Sequence, residues 1–149
     1  MNALTLTAGF LMLAVPGDDA SAQVVANETA SSAVERADDL HAVELAVVEK
    51  TNRERARYGL RPLRLDRRLL HSARRHCAWM CNTGAFQHTT APVAENIAMG
   101  QNSSEEAMRS WMNSSGHRAN ILNAGYSRIG VSAYRGNNGR VYWVQQFLR

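Results

Sequence analysis

The period of apolar positions changes along this chain, and each change marks an element. Between about Leu40 and Tyr58, Leu45, Val48 and Ala56 recur at helical intervals and Gly59 follows, so the spacing predicts a first helix that ends on a left-handed residue. Pro62 then lies in a short extended connection. Asp66 stands where it can cap a second helix, in which Leu69, Ala73, Cys77 and Met80 form one stripe up to Gly84. Residues 85–102, which include Phe86, His88, Pro92, Glu95, Ile97 and Met99, show no helical period and read as loops with short extended pieces. Ser103-Ser104-Glu105-Glu106 has the form of a capping box, with the Ser103 hydroxyl and the Glu106 carboxylate satisfying each other's backbone N–H groups. A third helix runs from there through Met108 and Trp111 to about Asn113. Gly116 is expected to break it, and His117 to Leu122 to form a short fourth helix.

The pattern then shortens. "SRIGVSAY" and "RVYWVQQF" alternate apolar with polar residues on either side of "RGNNG", where Asn138-Gly139 favours a tight turn between two strands. Helices first and a terminal antiparallel pair last point to an α+β sandwich and away from a βαβ repeat.

The first 22 residues read differently. "LTLTAGFLMLAV" is apolar but shorter than the roughly 20 residues a bilayer requires, and Ala20-Ser21-Ala22 has the small-x-small pattern of a signal-peptidase site. Residues 1–22 are therefore expected to be a secretion signal, although no Lys or Arg precedes the apolar run. Residues 23–39 are expected to be a flexible linker, and residues 40–149 one domain, since a chain of 149 residues leaves no room for a second. No other stretch has the length and apolarity to span a membrane.

Cleavage after Ala22 would leave 17 cationic residues against 11 acidic ones, and 16 of the 17 are Arg. Nine of these lie between Arg53 and Arg75. A basic face of this kind suits anionic lipid or wall polymer, but no aromatic residues are interleaved as stacking on bases requires, so nucleic acid is not expected as a partner. Solvated helix faces explain the arginines as well. The only cysteines, Cys77 and Cys81, are spaced i and i+4 on the second helix, where a bridge is strained; two free, partly buried thiols are expected.

Three polar residues in loops or at a helix start are candidates for chemistry: His88, Glu95 and His117. Neutral imidazoles are common metal ligands, and a carboxylate can complete such a shell or take a proton from bound water. The 29-residue separation of the two histidines carries no local signature, and a single histidine is more often structural. No nucleophile elbow, phosphate loop or paired C-x-x-C is present. His41 and His71 read as solvated, His76 as a satisfied core-edge histidine, and Trp79, Trp111 and Trp143 as core aromatics.

"TNRERARYGLRPLRLD", "AENIAMG", "WMNSSGHRANIL" and "YWVQQF", in this order, resemble the CAP superfamily, also called the SCP domain, in its bacterial secreted branch. The resemblance runs from about Leu40 to Phe147. It implies a three-layer α-β-α sandwich with four helices, a small antiparallel sheet, and a cleft of two histidines and two acidic residues that holds a divalent metal such as Zn²⁺ in some members. His88 and His117 match the two histidines and Glu95 the first glutamate; the second glutamate's place is held by Ser114. The function this implies is a secreted protein of the cell envelope or extracellular space whose cleft binds a divalent metal and a lipid, peptide or wall-polymer ligand. The alternative is a metal-assisted hydrolase with Glu95 as base.

Overall fold

The computed structural model describes residues 42–149. The expected signal segment and linker, with Leu40 and His41, lie outside the described residues. Within them, helix α1 covers residues 42–57, and is followed by β1 (Arg64–Leu65), α2 (Arg67–Thr83), β2 (Ala94–Met99), α3 (Ser104–Met112), α4 (Ser115–Ile121), β3 (Arg128–Arg135) and β4 (Val141–Leu148). The sheet order is β1-β3-β4-β2. β3–β4 and β4–β2 pair antiparallel as expected, whereas the two-residue β1 pairs parallel with β3, so the sheet is mixed and not purely antiparallel.

Helices cover both faces, which gives the three-layer sandwich. On one side α2 lays Ala73, Cys77 and Met80 against Ile97, Tyr142 and Val144. Its N-terminus is fixed as expected, with Asp66 accepting from the backbone N–H groups of Arg68 and Leu69 at 2.8 and 3.0 Å, and its end is set by Gly84 at φ 71°. The approach of α2 to the sheet needs a glycine: a Cβ on Gly130 of β3 would lie 2.2 Å from the Leu69 backbone.

On the other side α1, α3 and α4 pack Val47, Ala107, Met108, Trp111 and Ile121 against Ala98, Val131, Trp143 and Phe147. Full burial of each large apolar side chain contributes about 1.5–3 kcal/mol. Trp111 and Trp143 are the core aromatics expected, their indole N–H groups donating to Ile97 O and Gln101 O at 3.2 and 2.9 Å. Trp79 is not: it is 39% exposed.

Residues 94–99, in the segment expected to hold loops with short extended pieces, form the edge strand β2, hydrogen-bonded along β4. The structure corrects three further expectations. Helix α4 starts at Ser115, so Gly116 lies within its first turn and the break falls at Asn113 and Ser114. In the capping box Ser103 Oγ accepts from Glu106 N at 3.2 Å, but the Glu106 carboxylate accepts from Asn102 N, one residue before the expected partner. In α1 the inward stripe is Glu44, Val47, Thr51 and Arg55, while Leu45 and Ala56 are exposed. The buried polar members are all satisfied: Glu44 pairs with Arg74, and Thr51 Oγ1 donates to Val47 O. Arg55, 1% exposed, donates to the carbonyls of Arg61, Ile121, Asn123 and Tyr126. It is thus not one of the solvated arginines expected of this segment; its neighbours Arg53 and Arg57 are, in exposed pairs with Glu49 and Glu54.

Candidate functional site

Strand β2 borders the sheet, and its alternation sends neighbouring side chains to opposite layers. Ile97 and Met99 pack with α2, whereas Ala94 and Ala98 pack with Trp111, so Glu95 belongs to the α2 side and Asn96 to the α4 side. Asn96 Nδ2 donates to His117 O and to Gln145 Oε1, both at 3.1 Å. Asn120 of α4 returns two bonds from its Nδ2, to Glu95 O at 3.2 Å and Asn96 Oδ1 at 2.9 Å. Gln145 Nε2 continues the network to Thr51 Oγ1 at 2.8 Å. α4 is therefore latched to the edge of the sheet by amides, and His117 is held where the short helix begins.

Glu95 is the centre of the other side. Its side chain is 3% exposed, and its two oxygens are met by three protein donors. Thr89 N–H donates to Oε1 at 2.9 Å and Gln146 Nε2 to Oε2 at 2.9 Å. His88 Nδ1 lies 2.9 Å from Oε1. A carboxylate surrounded by donors has no proton to offer, so Nδ1 carries the hydrogen of this bond, and in the neutral tautomer Nε2 is left as the ring's acceptor. His88 is 58% exposed, so that acceptor is open to solvent. His76 of α2 stands on the same oxygen at 3.7 Å, at hydrogen-bond distance (2.9 Å) from Gln87 O through its Nε2, and stacked on Trp79 at 5.6 Å. It is the satisfied core-edge histidine expected, and it ties α2 to the loop that carries His88.

His117 has its pKa lowered, first by burial and then by the charge of His88, so both act to keep its imidazole neutral. The structure thus joins His88 to Glu95 by a direct bond and brings His117 within electrostatic reach of His88. Sequence reasoning missed Gln146, Asn96 and Asn120. Two consecutive glutamines in a strand buried along almost its whole length were the available signal.

The donor set does not fit a resident divalent metal. Among the described residues no group of three or more His, Cys, Asp or Glu side chains is arranged so that it could hold one metal ion, and catalytic zinc takes three protein ligands. The oxygens of Glu95 are occupied by protein donors. Ser114, in the place of the family's second glutamate, offers a hydroxyl that does not even cap its helix. Two grooves of about 490 and 410 Å³ lie along α1, α3 and α4, and neither includes His88, Glu95 or His117.

Against this fold and site, the cysteine-rich secretory protein family, CAP, matches residues 48–147. The chain belongs to the CAP family. YkwD of Bacillus subtilis (strain 168) is 38% identical over an alignment of 124 residues, which takes in 72% of this chain and 47% of YkwD. An extracellular protein containing an SCP domain from Bacillus anthracis superposes with a TM-score of 0.67 at 25% identity, over 74% of this chain and 41% of that one. An outer surface protein from Borrelia burgdorferi shares the fold at a TM-score of 0.63 and 17% identity, over 68% of this chain and 88% of the Borrelia chain. This CAP chain spans less than half the length of YkwD and of the Bacillus anthracis protein. No helix among its described residues is long and apolar enough to cross a membrane.

Proposed function

We propose that this chain is an exported CAP-domain binding module, directed outward by residues 1–22, whose site at the edge of β2 receives a hydroxyl-bearing ligand of the cell envelope, a wall polymer or lipid headgroup. The bond between Glu95 and His88 carries this reading. A buried carboxylate fixes one nitrogen of an exposed imidazole as donor to itself and leaves the other as a preset acceptor, which is an arrangement for recognising a hydroxyl from outside. His117, held neutral, adds a second imidazole beside it. The descriptions of the related proteins as extracellular or outer-surface support the export reading.

A metal-assisted hydrolase has less support. It needs a third metal ligand and a carboxylate free to take a proton, and Glu95 already accepts from Thr89, Gln146 and His88. NMR of the histidine rings, titrated with soluble glycan fragments of a bacterial wall, tests the proposal. His88 and His117 should shift together and saturably. Movement of neither ring would remove the site from the binding function, and turnover of the fragments would favour the hydrolase.

A further inference from the structure

Beside Glu95 and His88, helix α2 presents an aromatic surface that neither the core nor the hydrogen bonds at β2 use. His76 and Trp79 stand three residues apart on one face of α2 and stack, with ring centroids 5.6 Å apart and planes 13° from parallel. His76 is mostly covered, and its Nε2 lies 2.9 Å from Gln87 O and 3.7 Å from Glu95 Oε1, the oxygen that also meets His88 Nδ1. His76 thus links the indole of Trp79, through its ring face, to the carboxylate that orients His88, through its Nε2 edge. Trp79 differs from the other two tryptophans. Trp111 and Trp143 are buried and donate their indole N–H groups to carbonyls. Trp79 is exposed, and among the described residues its N–H donates to no protein acceptor. Phe86, on the loop that leads from α2 to His88, is exposed as well.

Resting on the reading of the β2 edge as a binding site, we propose that Trp79 is a binding residue of that site, the shelf on which one pyranose ring of a glycan strand lies, so that the ligand class is a glycan and not a lipid headgroup. A pyranose carries C–H groups on its faces and hydroxyls around its rim. An apolar indole face suits the first, and a few oriented polar groups at its border suit the second. Trp79 supplies exposed indole surface and an unused N–H donor. His88, tied to the same Glu95 oxygen that His76 approaches, supplies in its neutral tautomer an acceptor for a hydroxyl.

A phosphate headgroup asks for a different set, with cationic donors around its oxygens. Among the described residues no Lys or Arg side chain bonds to Glu95, His88 or His76. The stack also holds the shelf in place. His76 is fixed by Gln87 O and faces Glu95, and the indole lies on His76, so Trp79 has little rotamer freedom left to lose when a ring settles on it.

The test uses the full chain, an N-acetylglucosamine tetrasaccharide as the glycan probe and glycerol phosphate as the headgroup probe, with NMR of the Trp79 indole N–H and of the histidine rings. The glycan should shift the Trp79 and His88 signals saturably with one common Kd, and glycerol phosphate should leave the indole unmoved. Trp79→Ala should weaken the glycan about tenfold, read on the His88 ring, and Trp79→Phe, which keeps an aromatic face, should recover most of that loss. If the alanine variant folds poorly, the indole signal of the unaltered chain and the Trp79→Phe variant carry the test. A glycan that moves His88 but not the indole, or binds Trp79→Ala as tightly as the unaltered chain, would overturn the shelf and leave the binding reading of the β2 edge standing. An indole that moves without His88, or as strongly with glycerol phosphate, would overturn the shared site or the ligand class. Movement of neither Trp79 nor His88 would overturn the shelf and the binding reading together.

Discussion

Arg55 and Glu95 are both buried charges without an opposite charge in hydrogen-bond contact apart from histidine, and the structure treats them in opposite ways. Arg55 spreads its guanidinium over four backbone carbonyls, two of them in the segment that leaves α4, and every bond of that set is buried or partly buried. Glu95 gathers three donors, and one of them is the exposed ring of His88. A buried charge whose partners are all backbone holds loops together. A buried charge with one exposed, titratable partner sets that partner's protonation pattern and thereby shapes what the surface offers to a ligand. The difference separates a structural clamp from a recognition device made from the same kind of interaction.

The largest effect should come from the clamp. Arg55→Met leaves four carbonyls without their donor and should cost about 3–5 kcal/mol, read as a lower urea midpoint. A loss below about 1 kcal/mol would mean that water replaces the guanidinium and that the region is not dry. Glu95→Gln should cost less, about 1–3 kcal/mol, because the amide keeps one acceptor for the three donors but turns an N–H₂ toward the others. Its stronger signature is functional, since ligand-induced shifts of His88 should be lost while those of a folded core persist. Equal losses in the two variants would erase the distinction drawn between them.

His117 sharpens the comparison through pH. Its folded pKa is below the usual histidine value of 6.5, through burial and the charge of His88. The unfolded chain therefore binds the proton more tightly. Stability from this residue is fully present above about pH 6.5 and is lost as pH falls below it. Melting temperatures between about pH 7.5 and 5 should fall with acidification, and His117→Gln should flatten that fall; an unchanged slope would show that the imidazole is solvated. The smallest effect is expected for His88→Ala, about 0.5 kcal/mol or less, because the ring is mostly exposed. Trp111→Ala, at about 3–5 kcal/mol, gives the scale of a true core loss.

The sequence made α2 legible because its stripe is apolar and its ends carry Asp66 and Gly84, and the β3–β4 hairpin legible because alternation and Asn138-Gly139 agree. It hid α1's inward face, since Glu44, Thr51 and Arg55 each satisfy a partner far along the chain, and periodicity of apolar residues cannot see such partners. β2 was hidden for a related reason: Glu95, Asn96, Ile97 and Ala98 are all buried, on both faces, so no alternation survives. His88, Glu95 and His117 stood out as candidates, but the exchange of Glu95 from metal ligand or base to an orienting group depends on Thr89 and Gln146, the second of which lies 51 positions away.

The central claim, that Glu95 fixes His88 with its proton on Nδ1 and its acceptor outward, is tested most directly by the nitrogen NMR signals of the His88 ring. At a pH where the ring is neutral, the expected result is a protonated Nδ1 and an unprotonated Nε2, with that preference lost in Glu95→Gln. A His88 that carries its proton on Nε2, or the same tautomer mixture in both proteins, would contradict it.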